Sequence, residues 1–83
     1  MTLEILTPEK KVFTGNVDGV QLPGISGSFE VLDKHAPMIA ALKEGRLKIL
    51  NQKGEPGFFQ IQSGFVEVLN NKVMVLIEGA AAV

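Results

Sequence analysis

The sequence predicts an all-β domain, a sandwich or small barrel, on three observations. Turn chemistry recurs about every 8–12 positions, at Pro8, Gly15-Asn16, Pro23-Gly24, His35-Ala36-Pro37, Lys43-Glu44-Gly45, Gly54-Glu55-Pro56-Gly57 and Asn70-Asn71, the spacing of short strands joined by tight connections. Between these points apolar and polar residues alternate, as when one face of a strand is buried. No amphipathic run reaches helical length. Pro37 to Lys43 holds helix-favouring Ala40, Ala41 and Leu42, but a segment so short is not stable as a helix without packing.

The elements follow in order. Leu3, Ile5 and Thr7 alternate with Glu4 and Leu6 in a first strand that stops at Pro8, where a charged turn runs to Lys11. Val12 and Phe13 resume extended structure until Gly15-Asn16 breaks it. Val17 to Leu22 alternates, with Val20 and Leu22 as the buried pair, and Pro23-Gly24 ends the run, because Pro presets its φ and Gly accepts positive φ. Ser28 to Leu32 sets Phe29 and Val31 against Ser28, Glu30 and Leu32. At His35-Ala36-Pro37 regularity fails, since Pro37 has no N–H to donate and drives Ala36 toward extended geometry. Pro37 to Leu42 is almost wholly apolar and reads as an irregular segment, either a buried edge or an exposed patch that meets a partner. Lys43-Glu44-Gly45-Arg46 is a charged turn.

In the second half, Leu47 and Ile49 point inward and Arg46 and Lys48 outward. Asn51 to Gly57 reads as a hairpin loop. Phe58 to Ser63 places Phe59 and Ile61 on one face, and Gly64 signals a bulge or a close backbone approach. Phe65 to Leu69 alternates through Val66 and Val68, and Asn70-Asn71 is a two-residue turn, because Asn tolerates left-handed backbone. Lys72 to Glu78 is the most β-branched run and reads as a central strand. Gly79 to Val83 is a small-residue tail. Phe29, Phe59 and Phe65 are the expected core aromatics, each contributing about 1.5–3 kcal/mol on burial.

Composition narrows the function. Eighty-three residues make one small domain with a thin stability margin. At 46% hydrophobic and 20% charged the chain is globular. A net charge of −1 leaves no basic patch able to neutralise many phosphates, which argues against nucleic acid. With Cys 0 there is no disulfide and no thiolate for a metal. The apolar run Val73 to Ile77 is far too short for a membrane span, which takes about 20 residues. Met-Thr-Leu-Glu-Ile has no basic region ahead of an apolar one and does not read as a signal peptide, so a cytoplasmic location is expected.

Candidate chemistry is sparse. His35 lies near Asp33 and Ser28, yet no nucleophile motif surrounds it. A single histidine cannot fill a metal site. Gly24, Gly27 and Gly45 lead into strands rather than a helix N-terminus, so they are turn glycines and not a phosphate loop. The glutamates are scattered, and no spacing forces a catalytic pair together. The residues alone point to a small, non-enzymatic β adaptor with no cofactor and no metal.

The chain resembles the N-terminal domain of the epsilon subunit of F-type ATP synthase along essentially its whole length. The resemblance rests on Thr7-Pro8-Glu9-Lys10 with Val12-Phe13 and Gly15, and on Pro23-Gly24, Gly27, Phe29 and Val31-Leu32. It continues through His35-Ala36-Pro37, Leu42 and Gly45-Arg46-Leu47 to Ser63-Gly64-Phe65-Val66-Glu67-Val68 and Val73 to Ile77. It implies a flattened β-sandwich of about ten short strands, one domain over residues 1–83, and a non-catalytic place on the rotor stalk. There it would link the gamma subunit to the membrane c ring and help couple ion flow to ATP synthesis. By the same resemblance His35, Ala36, Pro37, Met38, Ile39 and Ala40 face gamma, with Thr7 a second contact. Ser26, Gly27, Ser28 and Glu30 face the c ring, although relatives often carry an acidic residue where Ser28 stands. The implied location is the cytoplasmic face of a bacterial inner membrane, peripheral through the complex. Typical members continue into an inhibitory helical hairpin, and the end at Val83 raises the expectation that it is lacking here. A carbohydrate- or peptide-binding sandwich is the competing reading, and a small hydrolase using His35 a third. The first calls for an exposed aromatic platform that a chain without Tyr or Trp scarcely provides.

Overall fold

The computed structural model describes residues 1–50 and 57–82, and every regular element among them is a strand. In chain order these are β1 (Thr2–Leu6), β2 (Lys11–Asn16), β3 (Gly19–Gly24), β4 (Gly27–Leu32), β5 (Met38–Leu42), β6 (Gly45–Leu50), β7 (Gly57–Ile61), β8 (Gly64–Leu69), β9 (Lys72–Ile77) and β10 (Ala80–Ala82). Hydrogen bonds join them in the order β10-β7-β6-β3-β5-β8-β9-β1-β2, with β4 also on β3. All pairs are antiparallel except β1 with β9.

The join between β3 and β5 is a single pairing, Gly24 opposite Leu42. The sheet therefore consists of two halves, β10-β7-β6-β3-β4 and β5-β8-β9-β1-β2, that meet at one corner and face each other as the layers of a sandwich. Phe13 of β2 and Phe59 of β7 lie far apart in strand order, yet their rings meet edge-on at 6.3 Å. This is a favourable aromatic geometry that closes the sandwich at its rim.

Both halves feed one core. Val20, Leu22, Val31, Leu47, Ile49 and Ile61 come from the first, and Leu3, Ile5, Leu42, Val66, Val68, Val73, Val75 and Ile77 from the second, all buried. The core is aliphatic, and Phe13, Phe29 and Phe59 are half-buried against it. The expected burial of Phe65 is overturned, because its side chain is 59% exposed. Val66 and Val68 point inward in β8, so Phe65 shares the outer face with Glu67 and Leu69. The two-residue period of a strand allows no other partition, and burying Glu67 without a partner would cost several kcal/mol.

Four local readings are also corrected. Pro23-Gly24 does not end its strand. Both residues belong to β3, opposite Ser28 and Gly27, and the turn is Ile25-Ser26. Pro23 offers no donor, but its carbonyl accepts the Lys43 N–H at 2.9 Å. Gly15-Asn16 continues β2, paired with Leu3 and Thr2. The apolar segment after Pro37 is not irregular, since β5 pairs with β8 along its whole length. The small-residue tail contains β10, which adds to β7. Each correction has one cause: a neighbouring strand supplies backbone partners that local composition does not reveal. The hairpin loop read at 51–57 lies outside the described residues except for Gly57. As read from sequence, β9 is an inner strand, and Asn70 and Asn71 take φ of 51° and 60° in a two-residue turn.

On the outside of β1, the Glu4 carboxylate receives Lys11 of β2 at 3.3 Å and Lys72 of β9 at 3.4 Å. The hydrogen bond from Lys11, then that from Lys72, lowers its pKa below the ordinary glutamate value of 4.5. A carboxylate whose folded pKa is depressed stabilises the fold fully above its unfolded pKa and loses that contribution as pH falls through the folded value. The difference in melting temperature between wild type and Glu4→Gln is therefore expected to be present near pH 6, to shrink once pH falls below the unfolded glutamate value of about 4.3, and to be lost as pH passes through the depressed folded value. Both lysines are about half exposed, so high salt should shrink the difference. A difference independent of pH would remove the carboxylate charge as its source.

Candidate partner-docking surface

The segment between β4 and β5 is held by backbone and side-chain bonds rather than by packing. The His35 N–H donates to the Leu32 carbonyl at 3.1 Å, and the Asp33 N–H to that of Asp18 at 3.2 Å. The Lys34 N–H donates to Asn71 Oδ1 at 2.7 Å, while Asn71 Nδ2 donates to Asp33 Oδ1 at 3.0 Å. The amino group of Met1 lies 2.9 Å from the same Asp33 oxygen. These bonds, from the amino group first and Asn71 second, lower the Asp33 pKa. Lys34 takes a left-handed φ of 66°, and the chain then presents His35, Ala36 and Pro37 to solvent. The ring Nδ1 of His35 sits 2.7 Å from the Ala36 carbonyl oxygen.

Beyond Pro37, β5 divides its residues by face. Met38 and Ala40 are half-buried and pack on the core, whereas Ile39 is 74% exposed. One face of the segment is thus packed on the core and the other is exposed. Thr7 stands apart in sequence at a closed turn. Its N–H donates to the Lys10 carbonyl at 2.9 Å, and its hydroxyl accepts the Lys10 N–H at 3.2 Å. Ser26, Gly27 and Ser28 form the exposed tip of the β3–β4 hairpin, where Gly27 takes φ 131°, and Glu30 lies on the outer face of β4. The hairpin tip and β5 are neighbours: Ser26, Gly27, Met38 and Ala40 line one shallow depression of about 390 Å³. His35 is not part of it.

The two outer faces of the sandwich differ in kind. On the β6–β7 side Arg46, Lys48 and Gln60 point out, and Arg46 stacks over Phe58 at 5.2 Å, a cation–π contact. On the opposite side Ala41, Phe65, Leu76 and Leu6 stand directly across from one another on β5, β8, β9 and β1. They form the floor of an apolar cleft of about 590 Å³ whose ends are the turns at Ile25 and at Thr7-Pro8. Sequence reasoning offered only Ala41, within Pro37 to Leu42, as a possible surface residue of this rung, and Phe65 was expected in the core. The available signal was Glu67, two residues after Phe65 on one strand, which forces both to the same face.

Residues 1–83 match the family model for the ATP synthase delta/epsilon chain, beta-sandwich domain. The ATP synthase epsilon chain of Chlorobaculum tepidum is 44% identical over 77 residues, covering 93% of this chain and 88% of that one. That of Chlorobium limicola is 46% identical over 77 residues, covering 92% and 86%. That of Salinibacter ruber is 43% identical, and the match takes in 94% of this chain but 58% of the relative. A chain in the cryo-EM structure of the Euglena gracilis mitochondrial ATP synthase (OSCP/F1/c-ring) superimposes with a TM-score of 0.90 at 20% identity, over 96% of this chain and 51% of that one. With the fold and a whole-length sequence match in agreement, the chain belongs to the epsilon-chain family of ATP synthase, a non-catalytic subunit built here as a β-sandwich.

Proposed function

We propose that this chain, as one domain over residues 1–83, is a rotor subunit of an F-type ATP synthase. It links the gamma subunit to the membrane c ring and supports the coupling of ion flow to ATP synthesis. It would be peripheral to the membrane through the complex, on the cytoplasmic face of a bacterial inner membrane. Family membership supports the assignment to the synthase, and the related folds come from synthase assemblies that include a c ring.

The observation that carries the gamma contact is Ile39. A large aliphatic side chain 74% exposed on a strand paired to β8 along its length, just after the His35-Ala36-Pro37 turn, gains free energy by leaving water when a partner covers it. Thr7 is the second gamma contact in this reading. The hairpin tip, Ser26 to Ser28 with Glu30, is polar and exposed, which suits the polar loops of a c ring.

Ile39→Asp is expected to weaken binding to the gamma subunit by about 2 kcal/mol or more, the scale of an interface anchor, with an unchanged melting temperature. Titration calorimetry against gamma, with thermal unfolding as control, reads both quantities. Met38→Asp is a poorer test, because Met38 packs on the core and its loss would perturb the fold. Undiminished affinity in a folded Ile39→Asp variant would remove this patch from the interface.

A further inference from the structure

We infer that Asn71 is a positioning residue for the His35-Ala36-Pro37 turn: from the β8–β9 hairpin its side-chain amide fixes Lys34 in left-handed backbone, so that the turn meets gamma already ordered. The inference rests on the gamma reading above and adds to it a residue that the reading leaves without a part.

Topology creates the need. Residues 33–37 carry the chain from β4, at the edge of one layer, to β5 in the other. No ladder accompanies such a crossing, so its backbone groups need other partners. Lys34 adds a second demand through its φ of 66°, because any side chain beyond glycine is disfavoured in left-handed backbone. Without an outside hold, Lys34 relaxes toward ordinary φ and swings the three residues after it.

The Asn71 side chain meets both demands. Its Oδ1 accepts the Lys34 N–H at 2.7 Å, and its Nδ2 donates to Asp33 Oδ1 at 3.0 Å. Two adjacent residues of the crossing are thus gripped by the two ends of one planar amide. The His35 N–H, bonded to the Leu32 carbonyl at 3.1 Å, closes the turn just beyond the grip. The platform is itself held. The Asn71 carbonyl accepts the Thr2 N–H at 3.2 Å, and Asn70 and Asn71 form the two-residue turn between β8 and β9. Asp33 is tied from its other side, by its N–H to the Asp18 carbonyl and by its carboxylate to the Met1 amino group.

Donor and acceptor roles make the pair testable. In Asn71→Asp an oxygen replaces Nδ2, 3.0 Å from the Asp33 carboxylate, and like charges so close repel. In the double variant Asp33→Asn with Asn71→Asp every bond can form again. The carboxylate at position 71 accepts both the Lys34 N–H and the new amide at position 33, whose own oxygen still receives the Met1 amino group.

The test uses the full chain and the full gamma subunit. Asn71→Gly deletes the amide but keeps the positive φ of the hairpin, so the melting temperature should change little. In the free chain, amide exchange at Lys34 and His35 should speed up about tenfold, with Val68 and Val73 unchanged. Gamma affinity should fall about tenfold, since the competent turn is then only partly populated. Asn71→Asp should do at least as much, and the double variant should recover both exchange and affinity. A direct contact of gamma with Asn71 would not be restored by that exchange of side chains. Unaltered exchange at Lys34 and His35 in Asn71→Gly overturns the inference, whatever happens to gamma. Faster exchange with undiminished affinity overturns the positioning role and leaves the gamma reading to Ile39→Asp. A double variant that stays impaired overturns the amide grip as the cause. If the folded wild-type chain does not bind gamma at all, the gamma reading falls and the positioning role with it, while the exchange rates still decide whether Asn71 orders the turn.

Discussion

Leu22→Ala is expected to lower the free energy of unfolding by about 2–5 kcal/mol. Leu22 is fully buried in β3, the strand that pairs with β4 and β6 and carries the single link to β5. Truncation removes apolar burial and leaves a cavity lined by residues from both layers. Those layers are fixed by their own ladders and can close on it only in part. A domain of this size has a total stability of roughly 4–12 kcal/mol, so the variant should lie close to the unfolding threshold at ordinary temperature. Urea denaturation reads the change, and Leu22→Met, which conserves volume, should cost under about 1.5 kcal/mol. A loss below about 1 kcal/mol for the alanine variant would mean that the corner at Gly24 lets the layers collapse onto the gap.

Gly64→Ala should be nearly as damaging, about 2–3 kcal/mol, although it adds a single methyl group. Gly64 faces Leu42 on one side and Ile77 on the other. A Cβ there would overlap the carbonyl oxygen of Leu76 and approach the Cα of Ile77 to 2.7 Å. Both are backbone atoms of a paired strand and cannot rotate away as a side-chain tip would. The expected response is a separation of β8 from β9 at that end, visible as faster amide exchange at Phe65 and Ile77 than at Val68 and Val73. A change within about 0.5 kcal/mol would show that the close approach relaxes without cost. Leu76 and Phe65 sit in the same cleft as Gly64, so this glycine also sets the level of that apolar floor.

The all-β class was legible because it is written locally. Alternation requires only that one face be apolar, and Asn70-Asn71 or Pro8 marks a turn wherever the chain later goes. The inward sets of β6 (Leu47, Ile49), β8 (Val66, Val68) and the end of β3 (Val20, Leu22) are buried as the pattern predicts. Motif order along the chain was likewise sufficient for the family. Pairing was not legible. Whether Pro23-Gly24 turns or extends, whether the residues after Pro37 form a strand, and whether an alanine-rich end adds to β7 all depend on backbone partners tens of residues away. The outward apolar row was illegible for the same reason. Phe65 reads as core when hydrophobicity alone is counted, and only the parity of β8 turns it outward. Ala41, Leu76 and Leu6 become neighbours of Phe65 only through the registers of β5 with β8, β8 with β9, and β9 with β1. The sequence by itself determined which residues can be buried and where the chain can turn. The tertiary structure decided which apolar residues were left over and brought them into one row, because strand register, set by packing of the whole core, selects the face each residue occupies.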